Sequence, residues 1–311
     1  MKPDILMMGA MFKPTQAVLE STYTVHKLWE AKDRDAFLAS VADRITAVAS
    51  TGTKGIDDAT MAKLPKLKVV SHFGVGVDSV DVDAARRRGI AVTNTPDVLT
   101  EDVADIALAL MLCAIRRVPQ GDRYVRDGKW ASGPMALTQS VQGKKVGIVG
   151  LGRIGKAIAK RCEAFNLEVS YTGRNRQAGV PYAFFPDALS LAKAVDILIV
   201  AAPGGNETRG LVNAAVLEAL GPDGTVVNIA RGSLIDEAAM IEALGSGKLG
   251  AAGLDVFDKE PHVPAELLAL DNVVVQPHVG SATHPTRTAM GQLVIDNLAA
   301  FFAGRPLLTP V

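Results

Sequence analysis

The chain of 311 residues is short of the features that mark several function classes. Lys and Arg together number 33, as do Asp and Glu, so no charge of either sign is in excess. A neutral chain offers no basic footprint for a phosphate backbone and no acidic solvating tail. Only two cysteines occur, Cys113 and Cys162, both in apolar, helix-like stretches and with no C-x-x-C. This argues against a disulfide framework or a zinc cluster and for two buried thiols. The longest unbroken apolar run, Ile106–Ile115, has ten residues, whereas a membrane-spanning helix needs about 20. Ile5–Phe12 follows Pro3 and Asp4 and reads as a first strand rather than a targeting signal. No metal site, membrane or nucleic acid is therefore expected, and the expected location is the cytoplasm. Aromatics make up 5% and hydrophobic residues 48%, an ordinary globular balance that excludes disorder.

What the chain does have is β-α alternation, in two series. Strand-like segments at Ile5–Met11, Ile45–Ser50, Lys68–Ser71 and Ile90–Thr93 are interleaved with helical patterns at Asp33–Ala42 and Val82–Arg88. Pro96 breaks this series, and a nearly all-apolar helix is expected over Glu101–Arg117. Residues 118–143 are polar, contain Trp130, and read as a long functional or interfacial segment. A second series starts at Lys145, with strands at Val146–Gly150, Glu168–Thr172, Ala194–Ala201, Thr225–Ile229, Ala251–Val256 and Val273–Gln276. A last helix runs from Pro285 to about Phe302. The fold class is α/β, with two doubly wound parallel-sheet domains. The second series is complete without the last helix, which is expected to fold back onto the first domain. Hinges are expected near 95–100 and 282–286.

The sharpest motif is Val146-Gly-Ile-Val-Gly150-Leu-Gly152-Arg-Ile-Gly155, a G-x-G-x-x-G between a strand and a helix. Gly150 permits the tight turn, Gly152 lets the backbone approach a pyrophosphate, and Gly155 allows close helix–strand packing. The helix N-terminus supplies N–H groups to the phosphates. An NAD site usually carries an acid about 20 residues further on, for the ribose hydroxyl. Here the strand ends in Gly173-Arg174-Asn175-Arg176. A carboxylate there would repel a 2′-phosphate, whereas guanidinium binds phosphate with paired donors. The expected cofactor is NADP(H), with Arg174 as main contact and Arg176 in support; NAD(H) use is left open.

Three further segments stand at strand ends: Val227-Asn-Ile-Ala-Arg231-Gly-Ser, Gly253-Leu-Asp255-Val-Phe-Asp-Lys-Glu260-Pro261 and Gln276-Pro-His278-Val-Gly280. Ligands in open α/β sheets sit beyond the carboxyl ends of strands, so an arginine, a carboxylate and a histidine can meet there. With the glycine loop and the His72-Phe-Gly-Val-Gly-Val-Asp78 turn, these segments resemble the D-isomer-specific 2-hydroxyacid dehydrogenases. Within them the chain looks most like the glyoxylate/hydroxypyruvate reductases. The resemblance implies a Rossmann-type nucleotide domain, residues 99–284, inserted into a flavodoxin-like substrate domain of residues 1–98 and 285–311. It also implies a homodimer. Carried onto matching positions, Arg231 would bind the substrate carboxylate and polarise its carbonyl. His278 would exchange the proton and Glu260 would pair with it. The backbone of Val75 and Gly76 would hold the substrate carboxylate, and Asp255 would approach the nicotinamide. The remaining cofactor contacts would be Arg153, Ile154, Ala202, Pro203, Thr208, Ile229 and Gly280. Trp130 is expected at an interface; in some glyoxylate reductases the resemblance places such a tryptophan in the partner subunit's active site. The family usually has Glu at Asp105 and Leu-Pro-Leu-Thr-Pro at Ala202-Pro-Gly-Gly-Asn206.

The chemistry agrees. Hydride transfer to a ketone puts negative charge on its oxygen, which a fixed guanidinium stabilises. Histidine can deliver the proton near neutrality, and a nearby carboxylate favours the imidazolium. The activity expected is NADPH-dependent reduction of glyoxylate or hydroxypyruvate. Two other readings stay open: another substrate of the same family, or a dinucleotide-sensing protein that does not catalyse.

Overall fold

The computed structural model describes residues 2–311, which divide into two compact units, residues 2–99 with 282–311 and residues 100–281. In chain order the first unit runs β1 (Asp4–Met7), α1 (Lys13–Thr22), β2 (Thr24–Lys27), α2 (Arg34–Val41), β3 (Ala47–Thr51), α3 (Asp58–Ala62), β4 (Val69–Phe73), α4 (Val82–Arg87) and β5 (Ala91–Thr93). The second opens with α5 (Thr100–Arg116) and α6 (Val118–Arg126). It continues through β6 (Lys145–Val149), α7 (Arg153–Ala164), β7 (Glu168–Thr172), β8 (Ala183–Phe185), α8 (Ala188–Ala192) and β9 (Ile197–Val200). There follow α9 (Ala214–Leu220), β10 (Thr225–Asn228), α10 (Glu237–Gly245), β11 (Ala251–Leu254), α11 (Ala265–Leu268) and β12 (Val273–Val275). The last helix, α12 (His284–Phe302), belongs to the first unit.

The first unit is a five-stranded parallel sheet in the order β2-β1-β3-β4-β5. Parallel sheets need both faces covered. Leu6, Val48, Val70 and Val92 face Leu38, Val41, Met61 and Ala84 of the helices on one side. The other side is covered by α12, which packs on β4 and on α1. Helix α12 starts cleanly because the Thr283 hydroxyl accepts from the Thr286 N–H and Pro285 fills the first turn. Gly291 is required there: a Cβ would lie 1.8 Å from Thr15 Oγ1. Buried Asn297 accepts from the Leu308 and Thr309 N–H groups and donates to Leu293 O, so its amide is satisfied.

The second unit is a seven-stranded parallel sheet ordered β12-β11-β10-β9-β6-β7-β8. The order reverses between β6 and β9, and every strand points the same way, so all carboxyl ends lie along one edge. The expected doubly wound α/β class is present in both units. Three expectations need correction. Strand β1 ends at Met7 rather than Met11, giving way to a bend. Residues 118–143, read as a long functional or interfacial segment without a helix, contain α6, which has no buried residue to signal it. Cys113 is only partly buried, whereas Cys162 is fully buried, and burial pushes its thiol up to about 12. No helix among the described residues is long and apolar enough to cross a membrane, and none of their side chains cluster as a metal site.

Candidate active site

At the end of β6 the three motif glycines each meet a different demand. Gly150 has φ +95, and a Cβ on it would lie 2.6 Å from the Ala202 backbone beyond β9. A Cβ on Gly155 would lie 2.2 Å from Gly150 O, so helix α7 sits directly against the turn. Gly152, the residue preceding α7, has nothing within 4 Å of a Cβ. Its open side, beside the first N–H groups of α7 at Arg153 and Ile154, suits an approaching pyrophosphate. Gly173 beyond β7 is likewise open. Arg174 and Arg176 are exposed and form no ion pair among the described residues. These residues fit a dinucleotide carrying a 2′-phosphate. Pro203 and Thr208 share one tight loop, in which the Thr208 hydroxyl donates to Pro203 O at 2.8 Å.

At the end of β10, buried Asn228 builds the next turn. Its side-chain oxygen accepts from the Ala230 N–H (3.0 Å) and its amide donates to Arg231 O (2.8 Å), an Asx-type turn around Ile229. The Arg231 guanidinium, half-buried, donates to Ala230 O at 2.7 Å. Gly232 follows, and a Cβ on it would lie 1.9 Å from the Phe257 backbone carbon. The arginine turn is thus pressed directly against the segment that leads to Glu260.

Glu260 Oε2 meets His278 Nδ1 at 2.7 Å, and Oε1 accepts from the Phe257 N–H at 3.1 Å. Burial disfavours the Glu260 carboxylate, but the hydrogen bond and charge of His278, the Phe257 N–H and the charge of Arg231 outweigh it. The carboxyl therefore lies below its ordinary value. With Nδ1 engaged, Nε2 is the histidine nitrogen left for a substrate.

His278 has φ +54, a left-handed backbone that costs a non-glycine residue roughly 1–2 kcal/mol. Asp255, at the end of β11 and 1% exposed, holds it there. The Asp255 carbonyl accepts from the His278 N–H at 2.8 Å. Its carboxylate oxygens accept from the Val279 (2.7 Å) and Gly280 (2.8 Å) N–H groups. Burial pushes this carboxyl above its ordinary value; the two N–H groups and the His278 charge oppose the rise, and the Glu260 charge adds to it. The bonds given to Asp255 are thus structural, a role the sequence did not reveal.

In the first unit, Val75 and Gly76 lie in the turn after β4. That turn is held by Asn94 Nδ2 donating to Val75 O (2.9 Å) and by the Thr95 N–H donating to Gly74 O (2.9 Å). Buried His72 pairs with Ser50 Oγ through Nδ1 at 2.9 Å and lies beneath Gly74. Asn94, Asn228, Gly232 and Gln177 were not singled out by sequence. Only Asn228 carried a signal, an Asn at a strand end, where Asx turns form.

Comparison with known proteins identifies the chain's relatives. The family model described as D-isomer specific 2-hydroxyacid dehydrogenase, NAD binding domain, matches residues 108–280. The chain is 47% identical over 307 residues to glyoxylate/hydroxypyruvate reductase A HPR2 of Arabidopsis thaliana, covering 99% of this chain and 98% of the relative. It is 46% identical over 307 residues to hydroxyphenylpyruvate reductase of Plectranthus scutellarioides, with the same two coverages. A crystal structure of an NADPH-dependent glyoxylate/hydroxypyruvate reductase from Sinorhizobium meliloti, in complex with NADP and malonate, superposes with a TM-score of 0.95. It is 43% identical and covers 100% of this chain and 97% of that one.

Proposed function

The chain belongs to the D-isomer specific 2-hydroxyacid dehydrogenases, and on that premise we propose that it reduces small 2-oxo acids, glyoxylate and hydroxypyruvate foremost, with NADPH. The observation that carries the reading is the His278–Glu260 pair at 2.7 Å, with the Arg231 charge acting on the same carboxylate. Bound NADPH supplies the hydride. Gly150, Gly152 and the start of α7 would hold its pyrophosphate, Gly155 letting α7 sit against the turn, and Arg174 with Arg176 would hold its 2′-phosphate. Ala202, Pro203, Thr208, Ile229, Asp255 and Gly280 border the rest of the dinucleotide.

Arg231 binds the substrate carboxylate and faces the carbonyl oxygen as negative charge builds there; a fixed donor at such a point is worth roughly 10²–10³ in rate. Val75 and Gly76, in the turn after β4, offer backbone N–H groups suited to a carboxylate. His278 delivers the Nε2 proton to the nascent alkoxide, and Glu260 keeps the ring oriented and favours its charged form. The relatives' names span glyoxylate, hydroxypyruvate and hydroxyphenylpyruvate, so side-chain size at the 2-oxo acid is what a substrate series should vary. The direct test is loss of NADPH absorbance with glyoxylate, hydroxypyruvate and hydroxyphenylpyruvate in turn. Turnover fastest with the two small acids is expected; NADPH binding with no turnover on any of them refutes the proposal. A homodimer is part of the same reading. Trp130 (69% exposed) and Leu137 (99% exposed) leave apolar surface uncovered in residues 118–143, and a sedimentation mass of one chain would contradict it.

A further inference from the structure

Two hydrogen bonds tie the glycine loop to the segment that carries the arginines. One is expected of the motif's geometry: the Gly150 N–H donates to Thr172 O at 2.9 Å, fixing the end of β7. The other is not. Gln177, half-buried and just past Arg176, donates from Nε2 to Leu151 O at 2.8 Å. Leu151 stands between Gly150 and Gly152, inside the loop that faces the pyrophosphate. The backbone of Gln177 is held as well, its N–H donating to Tyr171 Oη at 2.7 Å. Tyr171 is buried in β7, with its ring 5.4 Å from that of Phe184. Residues 173–176, all exposed, therefore form a short closed loop pinned at Thr172 and again at Gln177.

We infer that Gln177 is a positioning residue for cofactor choice: by pinning the arginine segment to the glycine loop, it sets the separation between the pyrophosphate site and the 2′-phosphate site. This rests on the reading that Arg174 and Arg176 take the 2′-phosphate. The two nicotinamide dinucleotides differ only in that phosphate. A residue that merely supported the glycine loop would affect both alike, whereas one that places the arginines affects NADPH alone. Without the Gln177 bond the arginines must be ordered on binding, which weakens binding without altering the chemical step.

The test uses the full chain and compares kcat, KM and kcat/KM with NADPH and with NADH. Gln177→Met keeps side-chain length and removes the donor. Tyr171→Phe removes only the hydroxyl at the other anchor. Each variant loses one neutral hydrogen bond, so kcat/KM with NADPH should fall about twofold to tenfold, through KM. With NADH the change should stay within about twofold, the ordinary reach of a mutation whose interaction is absent. Arg174→Ala serves as the reference. In its background Gln177→Met should have little further effect on the cofactor ratio, because the group it positions is gone. If Arg174→Ala lowers the ratio but Gln177→Met and Tyr171→Phe do not, the positioning role is wrong and the phosphate reading stands. Equal losses with both cofactors also overturn the role, reducing Gln177 to loop support. If Arg174→Ala leaves the ratio unchanged, the phosphate reading itself fails and this inference with it.

Discussion

Gly232→Ala tests whether the arginine turn must lie hard against the glutamate segment. A Cβ at residue 232 would stand 1.9 Å from Phe257 C, 2.2 Å from Asp258 N and 2.3 Å from Phe257 O. All three are backbone atoms, so no side chain can swing away. Carbon atoms rest comfortably at about 3.5 Å, so 3.5 − 1.9 leaves about 1.6 Å to be found by moving main chain. Moving Phe257 disturbs the N–H that Glu260 Oε1 holds, and moving the other side carries Arg231 away from the His278–Glu260 pair. Either shift is on the order of 1 Å, and such a misplacement can cost about 10²-fold in rate. Overpacking of this kind costs about 1–3 kcal/mol of stability, which for a unit of this size lowers the melting temperature by about 2–12 °C. The assay is circular dichroism for the fold, fluorescence titration for NADPH, and kcat/KM with glyoxylate. Gly245→Ala, whose Cβ would find only Leu270 Cδ2 at 3.9 Å, is the control and should be near neutral. A folded Gly232→Ala protein with kcat/KM within about threefold of the native value refutes the reasoning, since overpacking without displacement of the arginine would give no such loss.

Arg231→Ala should lower kcat/KM by roughly 10²–10³ while NADPH affinity, read by fluorescence, stays near native. Native-like turnover would remove Arg231 from the mechanism. Glu260→Gln keeps an acceptor for the Phe257 N–H and loses the charge at His278; a charge-assisted bond is worth about 1.5–3 kcal/mol, or about 10- to 100-fold in reduction rate. Because the folded Glu260 carboxyl lies below its ordinary 4.5, its stabilising contribution is fully present above that value and is lost as pH falls through the folded one. Acid melts below about pH 4.5 should therefore cost the native chain more than Glu260→Gln; parallel acid profiles would contradict this. Asp255→Asn places an amide donor against the Val279 or Gly280 N–H, and hydrogen exchange at those two amides should speed up by at least about tenfold for one lost buried bond. Unchanged exchange would mean that the carboxylate does not hold the histidine loop.

Legibility in the sequence followed how local each demand is. The glycine loop could be read because its requirements, one turn, one open approach and one close packing, fall within six residues of one another. Most strands of both sheets announced themselves as apolar runs, though β2 and the three-residue β8 did not. Helix α1 did not, because only Thr15 and Leu19 are buried and no apolar stripe forms. Edge strand β2, Thr-Val-His-Lys, is too polar to read as a strand. The catalytic candidates Arg231, Glu260 and His278 came largely from resemblance, since residues so far apart carry no mutual spacing signal. Asn94 and Gln177 act on Val75 and Leu151 across 19 and 26 residues. Such pairings are set by strand order, which no local pattern states.

The division of the first unit into residues 2–99 and 282–311 has a consequence for synthesis. Sheet strands β1 to β5 leave the ribosome early, but α12, which covers β4, follows only after the 182 residues from 100 to 281. At about 5–20 residues per second, that is about 9–36 s during which one apolar face of the early sheet lacks its cover. The second unit is continuous in sequence and can fold while the first still waits. Nascent-chain capture by chaperones should accordingly peak before residue 282 is made and decline once α12 emerges.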